Sequence, residues 1–203
     1  MRAKRFFAFL MLCVLATGTQ AFADDKNQAS TYVDSLGKKA LAVISDAAKS
    51  KEQKNAALQD LFVANVDIDW IAKFVVGRYW KTATDEQKKQ YMANYRDFII
   101  SHYTSNFAEF TNANFEVTRV IPDESGGNVV TMRIKRPQAE DIVVDYTVRK
   151  SASGGLKVYD ITVEGVSMIT TQRSDFSSVI AQNGFDNLIT QLGERSKKEK
   201  GSE

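Results

Sequence analysis

The sequence predicts an α+β domain in which N-terminal helices pack on one face of a C-terminal antiparallel β-meander. Through the first half of the chain, apolar residues recur at spacings of three and four, which is typical of helices buried on one side. From Asn112 to Glu164, apolar and polar residues alternate instead, as in strands with one buried face. Short turns separate these strands, which favours antiparallel neighbours.

Residues 1–23 have the features of a signal peptide. Residues 2–5 carry three basic side chains, residues 6–16 are apolar over a length too short to span a bilayer, and Ala-Phe-Ala ends the segment. The pattern predicts cleavage between Ala23 and Asp24 and export to the periplasm. Lipoprotein processing at Cys13 is the alternative, and Leu12 argues against it because a lipobox has a small residue at that place.

Without this segment the composition is nearly neutral. Residues 24–203 contain 24 basic and 25 acidic residues, a formal charge of −1, so charge gives no support for nucleic-acid binding. The single cysteine, Cys13, is removed with the signal, which leaves no thiol for a disulfide, a metal site or a nucleophile. We expect one domain over residues 24–193 and a charged flexible tail over residues 194–203.

Four helices are predicted before the strands. The first, Asn27–Ser50, and the second, about Lys51–Val63, each have one apolar stripe. The third, about Ile68–Trp80, is apolar around much of its circumference, which indicates burial on several sides or the lining of a cavity. Thr84 and Gln87 form a capping box for the fourth. That helix has an aromatic face that includes Tyr95, Phe98, Ile99, Tyr103 and Phe107.

Strands are predicted at Phe115–Ile121, Asn128–Lys135, Asp141–Lys150 and Leu156–Glu164. In the fourth strand Tyr159, Ile161 and Val163 alternate with polar residues, so we expect all three on the apolar face. Gly165 ends this strand, and Ser174 is the expected N-cap of a helix that reaches Asn183. A short last helix follows, marked by Phe185, Leu188, Ile189 and Leu192.

Two segments identify the chain as a member of a known family. The run VYDITVEGVSMITTQRSDF (Val158–Phe176) and the run DIDWIAKFVVGRYW (Asp67–Trp80), followed by KTATDEQ (Lys81–Gln87), resemble the signatures of the MlaC or toluene-tolerance family of periplasmic phospholipid-binding proteins. The resemblance covers essentially all of residues 24–203. It implies a soluble carrier, without a cofactor, that holds phospholipid as cargo in an apolar pocket enclosed between the sheet and the helices.

The resemblance also implies a pathway and partners. The carrier would shuttle lipid between outer- and inner-membrane complexes to maintain outer-membrane lipid asymmetry. Its partners would be an inner-membrane ABC-type complex with a ring-shaped lipid-binding subunit and an outer-membrane lipoprotein–porin complex. ATP would be used by the inner-membrane complex. We expect a monomer and no nucleic-acid partner.

Twelve apolar and aromatic residues are candidates for contact with the acyl chains, on the meander face and the helices that would cover it. Ordinary core packing is the alternative for several of them. Arg173, just beyond the strand–helix junction, is a weaker candidate for the headgroup phosphate, and a salt bridge to Asp160, Glu164 or Asp175 is its alternative. The acyl-chain candidates are Val75, Tyr79, Tyr95, Phe98, Ile99, Ile142, Val144, Tyr146, Tyr159, Ile161, Val163 and Met168.

The sequence has no catalytic signature. His102 is its single histidine, and the chain contains no G-x-S-x-G, no phosphate-binding glycine loop and no H-E-x-x-H. We therefore expect neither an enzyme nor a metal site. Two alternatives stay open: a periplasmic binding protein for another apolar ligand, such as a hopanoid or a solvent-like compound, and, less favoured, a cavity enzyme with an enclosed aspartate or tyrosine.

Overall fold

Five strands form one antiparallel sheet in the order β1-β2-β3-β4-β5. The computed structural model describes residues 18–104, 110, 112–137 and 139–201, so most of the predicted signal peptide and Phe107 lie outside the described residues. The strands are β1 (Asn114–Asp123), β2 (Gly127–Lys135), β3 (Ile142–Lys150), β4 (Leu156–Val163) and β5 (Val166–Ser167). The first four confirm the predicted meander.

The strand β5 is formed by a tight hairpin after β4. Glu164 and Gly165 both have positive φ, 48° and 81°, as the two-residue type I′ turn requires. Two hydrogen bonds to β3 hold Glu164 in this conformation. Its carboxylate accepts the Val143 N–H at 2.7 Å, and its own N–H donates to the Val143 carbonyl at 3.1 Å. The predicted interruption at Gly165 is therefore a hairpin turn.

In the residues that the structure describes, five helices precede the sheet and two follow it. They are α1 (Gly18–Ile44), α2 (Lys51–Asn65), α3 (Ile68–Val76), α4 (Tyr79–Thr82), α5 (Asp85–Thr104), α6 (Met168–Asn183) and α7 (Phe185–Gly201). The helix α1 begins before the predicted cleavage position and ends earlier than predicted. The capping box at the start of α5 is confirmed: Thr84 N–H donates to Gln87 Oε1 at 3.0 Å, and Gln87 N–H donates to Thr84 Oγ1 at 3.2 Å.

Besides the bounds of α1, three predicted helix boundaries are wrong. The third predicted helix is divided into α3 and α4, because Gly77 takes φ 53° and stops the helical run. The helix α6 begins at Met168 with Ser167 as its N-cap, so the predicted N-cap Ser174 lies inside it. The helix α7 continues to Gly201 through the segment predicted as a flexible tail, and Ser196 within that segment is buried.

The helices cover one face of the sheet, and most of the buried apolar residues of the described chain form one core cluster. On the sheet side this cluster contains Val130, Met132, Val148 and Val158, which lie on three adjacent strands. On the helix side it is centred on α5, where Tyr91 donates a hydrogen bond from its hydroxyl to the Ala72 carbonyl at 2.8 Å. No helix in the described part of the chain is both long enough and apolar enough to cross a membrane.

Candidate functional site

A small pocket, open on one side, lies between the sheet and helices α2, α3, α5 and α6. Its volume is about 20 Å³, which is space for about one water molecule. The walls come from five separate elements, so no single stretch of sequence displays the pocket. The lining residues are Phe62, Val66, Ile71, Ile99, Tyr103, Val158, Asp160, Ile161, Met168, Ile169 and Gln172.

The junction of α2 and α3 is fixed to the edge of the sheet, and this fixes one wall of the pocket. Val66 forms an isolated parallel bridge with Val158, and the Asp67 N–H donates to the Val158 carbonyl at 3.0 Å. The Asp67 carboxylate then caps α3 by accepting the Trp70 N–H at 3.1 Å. These bonds hold Val66 and Ile71 beside Val158 in the pocket wall.

The pocket has one polar end, made by a chain of hydrogen bonds between α5 and α6. The Tyr95 hydroxyl donates to Gln172 Oε1 at 2.8 Å, and Gln172 Nε2 donates to the Tyr103 hydroxyl at 3.2 Å. Burial raises the pKa of Tyr103, and it raises the pKa of Tyr95 well above the ordinary value. Both phenols therefore stay protonated at physiological pH, and this chain of polar groups carries no charge.

Asp160 stands at the pocket edge and organises the start of α6. Its carboxylate accepts the Ser167 hydroxyl at 2.6 Å and the Ile169 N–H at 3.3 Å. Ser167 in turn accepts the Thr170 N–H at 3.2 Å as the N-cap. An acidic group beside the first free N–H groups of a helix is stabilising there, so Asp160 is accounted for by its structural role.

The predicted acyl-chain residues separate into groups by position. Ile99, Ile161 and Met168 line the pocket. Val75, Tyr95 and Phe98 lie in the close-packed core cluster, with Val75 and Tyr95 fully buried. Tyr79 packs against that cluster from α4 and carries the Arg78 guanidinium over its ring at 5.2 Å.

A second group continues the apolar face beyond the pocket. Val144 pairs with Val163, and Tyr146 pairs with Ile161, so these predicted residues share one face of β3 and β4. Ile142 is the last position of the same row. Within the described residues, Ile142, Val144, Val163 and Met168 are not members of the core cluster, and all but Val144 are half-buried. The sequence pattern therefore placed these residues on the correct face.

The predicted position of Tyr159 on the apolar face of β4 is wrong. Thr147 pairs with Asp160 but Val148 pairs with Val158, so Tyr159 has no partner on β3 and forms a β-bulge. Its ring lies against the Arg149 guanidinium at 5.2 Å and against Trp70 at 5.1 Å. Arg149 follows the core residue Val148, so its side chain leaves the opposite face. The bulge thus separates Tyr159 from the face that carries Ile161.

Most of the pocket was not predicted from the sequence. Tyr103 belongs to the aromatic face of α5 and could have been included on that signal. Ile169 and Gln172 were missed because the start of α6 was placed too late. Ile71 belongs to the predicted third helix, whose apolar circumference already indicated burial or the lining of a cavity. Phe62, Val66, Val158 and Asp160 depend on contacts between distant segments.

Two polar candidates lie outside the pocket. Arg173 is exposed on α6, its guanidinium is 4.7 Å from the centre of the Phe74 ring, and within the described part of the chain it makes no salt bridge. Its predicted contact with a headgroup stays a prediction. His102 is exposed on α5 and stacks on Phe98 at 5.3 Å. In the portion of the chain that the structure covers, no group of three or more His, Cys, Asp or Glu side chains could hold a metal ion.

A larger groove of about 270 Å³ lies between α6 and α7. Its floor is apolar, and Asp175 and Arg195 contribute to its polar rim. None of the predicted acyl-chain residues lines it. The groove residues are Asp175, Phe176, Ser178, Val179, Leu188, Gln191, Leu192 and Arg195.

Comparison with known proteins gives consistent results in sequence and structure. The sequence model of a family described as "MlaC protein" matches residues 34–194. The chain is 24% identical over 131 residues to the intermembrane phospholipid transport system binding protein MlaC of Haemophilus influenzae, a match that covers 63% of this chain and 61% of that protein. It is 25% identical to the toluene tolerance protein ttg2D of Pseudomonas putida, over 64% of this chain and 60% of that protein.

The match thus spans about three fifths of the length of either curated relative. A solved structure is similar over more of its length. The phospholipid-binding protein from Ralstonia solanacearum, determined in complex with a phospholipid, aligns with a TM-score of 0.74 at 25% identity. The alignment covers 85% of this chain and 98% of that one.

Proposed function

The chain belongs to the MlaC family, and from this premise we propose that it is a soluble periplasmic carrier of phospholipid. The observation that carries the proposal is the pocket between sheet and helices, which is apolar on most of its walls, has a polar end formed by Tyr95, Gln172 and Tyr103, and has Asp160 at its edge. A solved structure with the same fold, from Ralstonia solanacearum, holds a phospholipid. A protein with a water-soluble surface and an apolar pocket can hold acyl chains out of water while it diffuses, and this is what a lipid carrier must do.

The physical need for such a carrier is large. An acyl chain of roughly fifteen methylenes costs about 12 kcal/mol to expose to water, at about 0.8 kcal/mol for each CH₂. Free diffusion of a lipid across an aqueous compartment is therefore slow. Transfer into a dry protein slot removes this cost. The slot needs to bind the lipid only about as tightly as a bilayer does, because a carrier must also release its cargo.

The pocket must widen to accept an acyl chain. Its volume of about 20 Å³ is far below the roughly 300–1,000 Å³ of typical ligand sites. The half-buried residues Ile142, Val163 and Met168 extend the same apolar surface beyond the core cluster. We therefore place the slot along the pocket residues and this row, whereas Val75, Tyr95 and Phe98 would remain core.

The cellular route is part of the same proposal. A cleaved signal peptide ending at Ala23 would deliver the chain to the periplasm. There it would exchange lipid with an inner-membrane ABC-type complex that has a ring-shaped lipid-binding subunit and with an outer-membrane lipoprotein–porin complex, as a monomer. This exchange would maintain the lipid asymmetry of the outer membrane. The chain would hold lipid without a cofactor and without changing it chemically.

Mass spectrometry of the protein purified from the periplasm tests the proposal. Native spectra should show a mass increment, and denaturation should release intact phospholipid. A hopanoid or another apolar compound in place of phospholipid would make the protein a carrier of a different ligand. Hydrolysed or otherwise modified lipid would indicate an enzyme. The absence of any ligand from protein isolated without detergent would contradict the proposal.

A further inference from the structure

Helices α3 and α4 carry a concentration of cation–aromatic contacts on their outer side. Such contacts occur about once per 70–80 residues in proteins. Five of them involve α3 or α4: one places Arg149 of β3 over Trp70 at 5.4 Å, and the other four concern the cations described next. Lys73 Nζ and Lys88 Nζ are 5.7 and 5.8 Å from the centre of the Trp80 ring. The other two pairs are Arg78 with Tyr79 at 5.2 Å and Arg173 with Phe74 at 4.7 Å. We call Lys73, Arg78, Lys81, Lys88 and Arg173 the cationic surface.

The positive charge of this surface is largely unneutralised. Lys88 pairs with Asp85 at 3.6 Å, while the other four cations are exposed and have no carboxylate within ion-pair distance in the described part of the chain. The acidic residue of α3, Asp69, pairs with Arg96 at 3.9 Å, on the neighbouring helix α5. Residues 24–203 carry a formal charge of −1, so this positive surface is a local feature.

The cations are also held in place. The Arg173 guanidinium lies over the Phe74 ring and beside Gly77, where an added Cβ would approach it to 3.1 Å. Arg78 rests on the Tyr79 ring and donates from Nη2 to its hydroxyl at 3.3 Å. Side chains that are already ordered lose less conformational entropy when a partner binds.

We propose that the cationic surface is the docking site for an acidic face of a partner protein. Fixed guanidinium planes suit carboxylates, which they bind in defined directions. An anionic bilayer would attract the same charges, but stable insertion also needs exposed apolar side chains, so we favour a protein partner and make lipid an outcome of the test. The exposed large apolar residues of the described chain are Ile121, Val143 and Val166, none of which lies on α3 or α4.

The position of the surface gives docking a route to the pocket between sheet and helices. Ile71 lines the pocket two residues before Lys73 of the surface, and Gln172 lines it one residue before Arg173. A partner bound to the cationic surface therefore contacts the outer sides of two helices that wall the pocket. This connection to cargo exchange rests on the proposed carrier function, whereas the docking surface itself does not.

In-cell photo-crosslinking on the full-length chain tests the surface. The crosslinker p-benzoylphenylalanine replaces Thr82, which is exposed at the end of α4, and in a control it replaces Ala56, which is exposed on α2. Adducts are identified by mass spectrometry, and the crosslinked peptide of the partner is sequenced. We expect protein adducts from position 82 only, with contact peptides rich in Asp and Glu.

Charge reversal supplies the matched comparison. Lys73→Glu with Arg78→Glu should reduce the adduct yield at least about tenfold, since like charges then face each other. Lys39→Glu with Lys51→Glu makes the same change of net charge on exposed lysines elsewhere and should leave the yield unchanged. The melting temperature of both variants verifies the fold.

Several outcomes would overturn the docking surface. They are lipid adducts at position 82, equal adducts at both crosslinker positions, contact peptides without carboxylates, and equal yields from the two charge-reversed variants. Co-purified lipid is measured in the same samples. If the protein carries no lipid but gives the expected adducts, the carrier function is wrong and the docking surface stands. If it carries lipid but does not give these adducts, the carrier function stands and the docking surface is wrong.

Discussion

A glutamate at position 161 would place a carboxyl group in the wall of the pocket between sheet and helices. Ile161 is half-buried, lines the pocket and pairs with Tyr146 across β3 and β4. Val148 is the matched control. It lies two residues from Tyr146 on the same face of β3, and it is 1% exposed within the core cluster.

From the structure we expect the two substitutions to lower the free energy of unfolding by different amounts. An unpaired carboxyl in a closed core shifts its pKa upward by up to about 3–5 units, which corresponds to about 4–7 kcal/mol. Since domains have about 5–15 kcal/mol of stability, Val148→Glu should remove most of it. Ile161 and the polar residue Gln172 line the same pocket, which is open on one side. For Ile161→Glu we therefore expect a loss of about 1–3 kcal/mol, or a melting temperature lower by about 2–12 °C.

The assay pairs stability with cargo. Circular dichroism gives the melting temperature, and extraction with chromatography gives the phospholipid content of protein purified from the periplasm. Ile161→Glu should be folded and free of lipid, because a charge against acyl chains is very costly. Val148→Glu should fail to fold. If Ile161→Glu unfolds as Val148→Glu does, position 161 is core; if it keeps its lipid, the slot is elsewhere. Either result refutes the reasoning.

Three further substitutions test the assignment of individual residues. Ser167→Ala removes the N-cap of α6 and should lower the free energy of unfolding in urea by about 1 kcal/mol, whereas Ser174→Ala, inside the same helix, should change it by less than about 0.5 kcal/mol; equal effects would contradict the observed start of α6. Gln172→Leu leaves two phenol hydroxyls without their partner and should cost about 1–3 kcal/mol in the same measurement, so an unchanged stability would mean that this bridge contributes nothing. His102→Ala should leave the lipid content unchanged because the side chain is exposed outside the pocket, and loss of lipid from a folded variant would show that the histidine has a function.

The sequence alone determined the elements of the sheet and their apolar faces. The observed β2, β3 and β4 agree with the predicted strands to within one residue at each end. Alternation over eight or nine residues is a strong signal, because a slip of one residue would turn every apolar side chain to solvent. The pairing of Val144 with Val163 shows that the predicted face is continuous across strands.

The capping box of α5 was also predictable, because its hydrogen bonds join residues that are close in the sequence. The capping box of α5 involves Thr84 and Gln87, which are three residues apart, and both of its hydrogen bonds form within that interval. The start of α6 was missed because two serines could serve as N-cap. The choice of Ser167 depends on Asp160 of β4, which binds its hydroxyl, so the deciding interaction is outside the helix.

Only the tertiary structure separated pocket from core. Ile161 and Val148 have equivalent strand patterns, yet one lines the pocket and the other is enclosed, because different helices face them. The bulge at Tyr159 likewise reverses its face through the pairing of two strands, which alternation in one strand cannot show. Periodicity indicates which side of a helix or strand is apolar. Whether that side faces a slot or a filled core depends on its distance from the opposite layer, and side chains from remote parts of the chain set this distance.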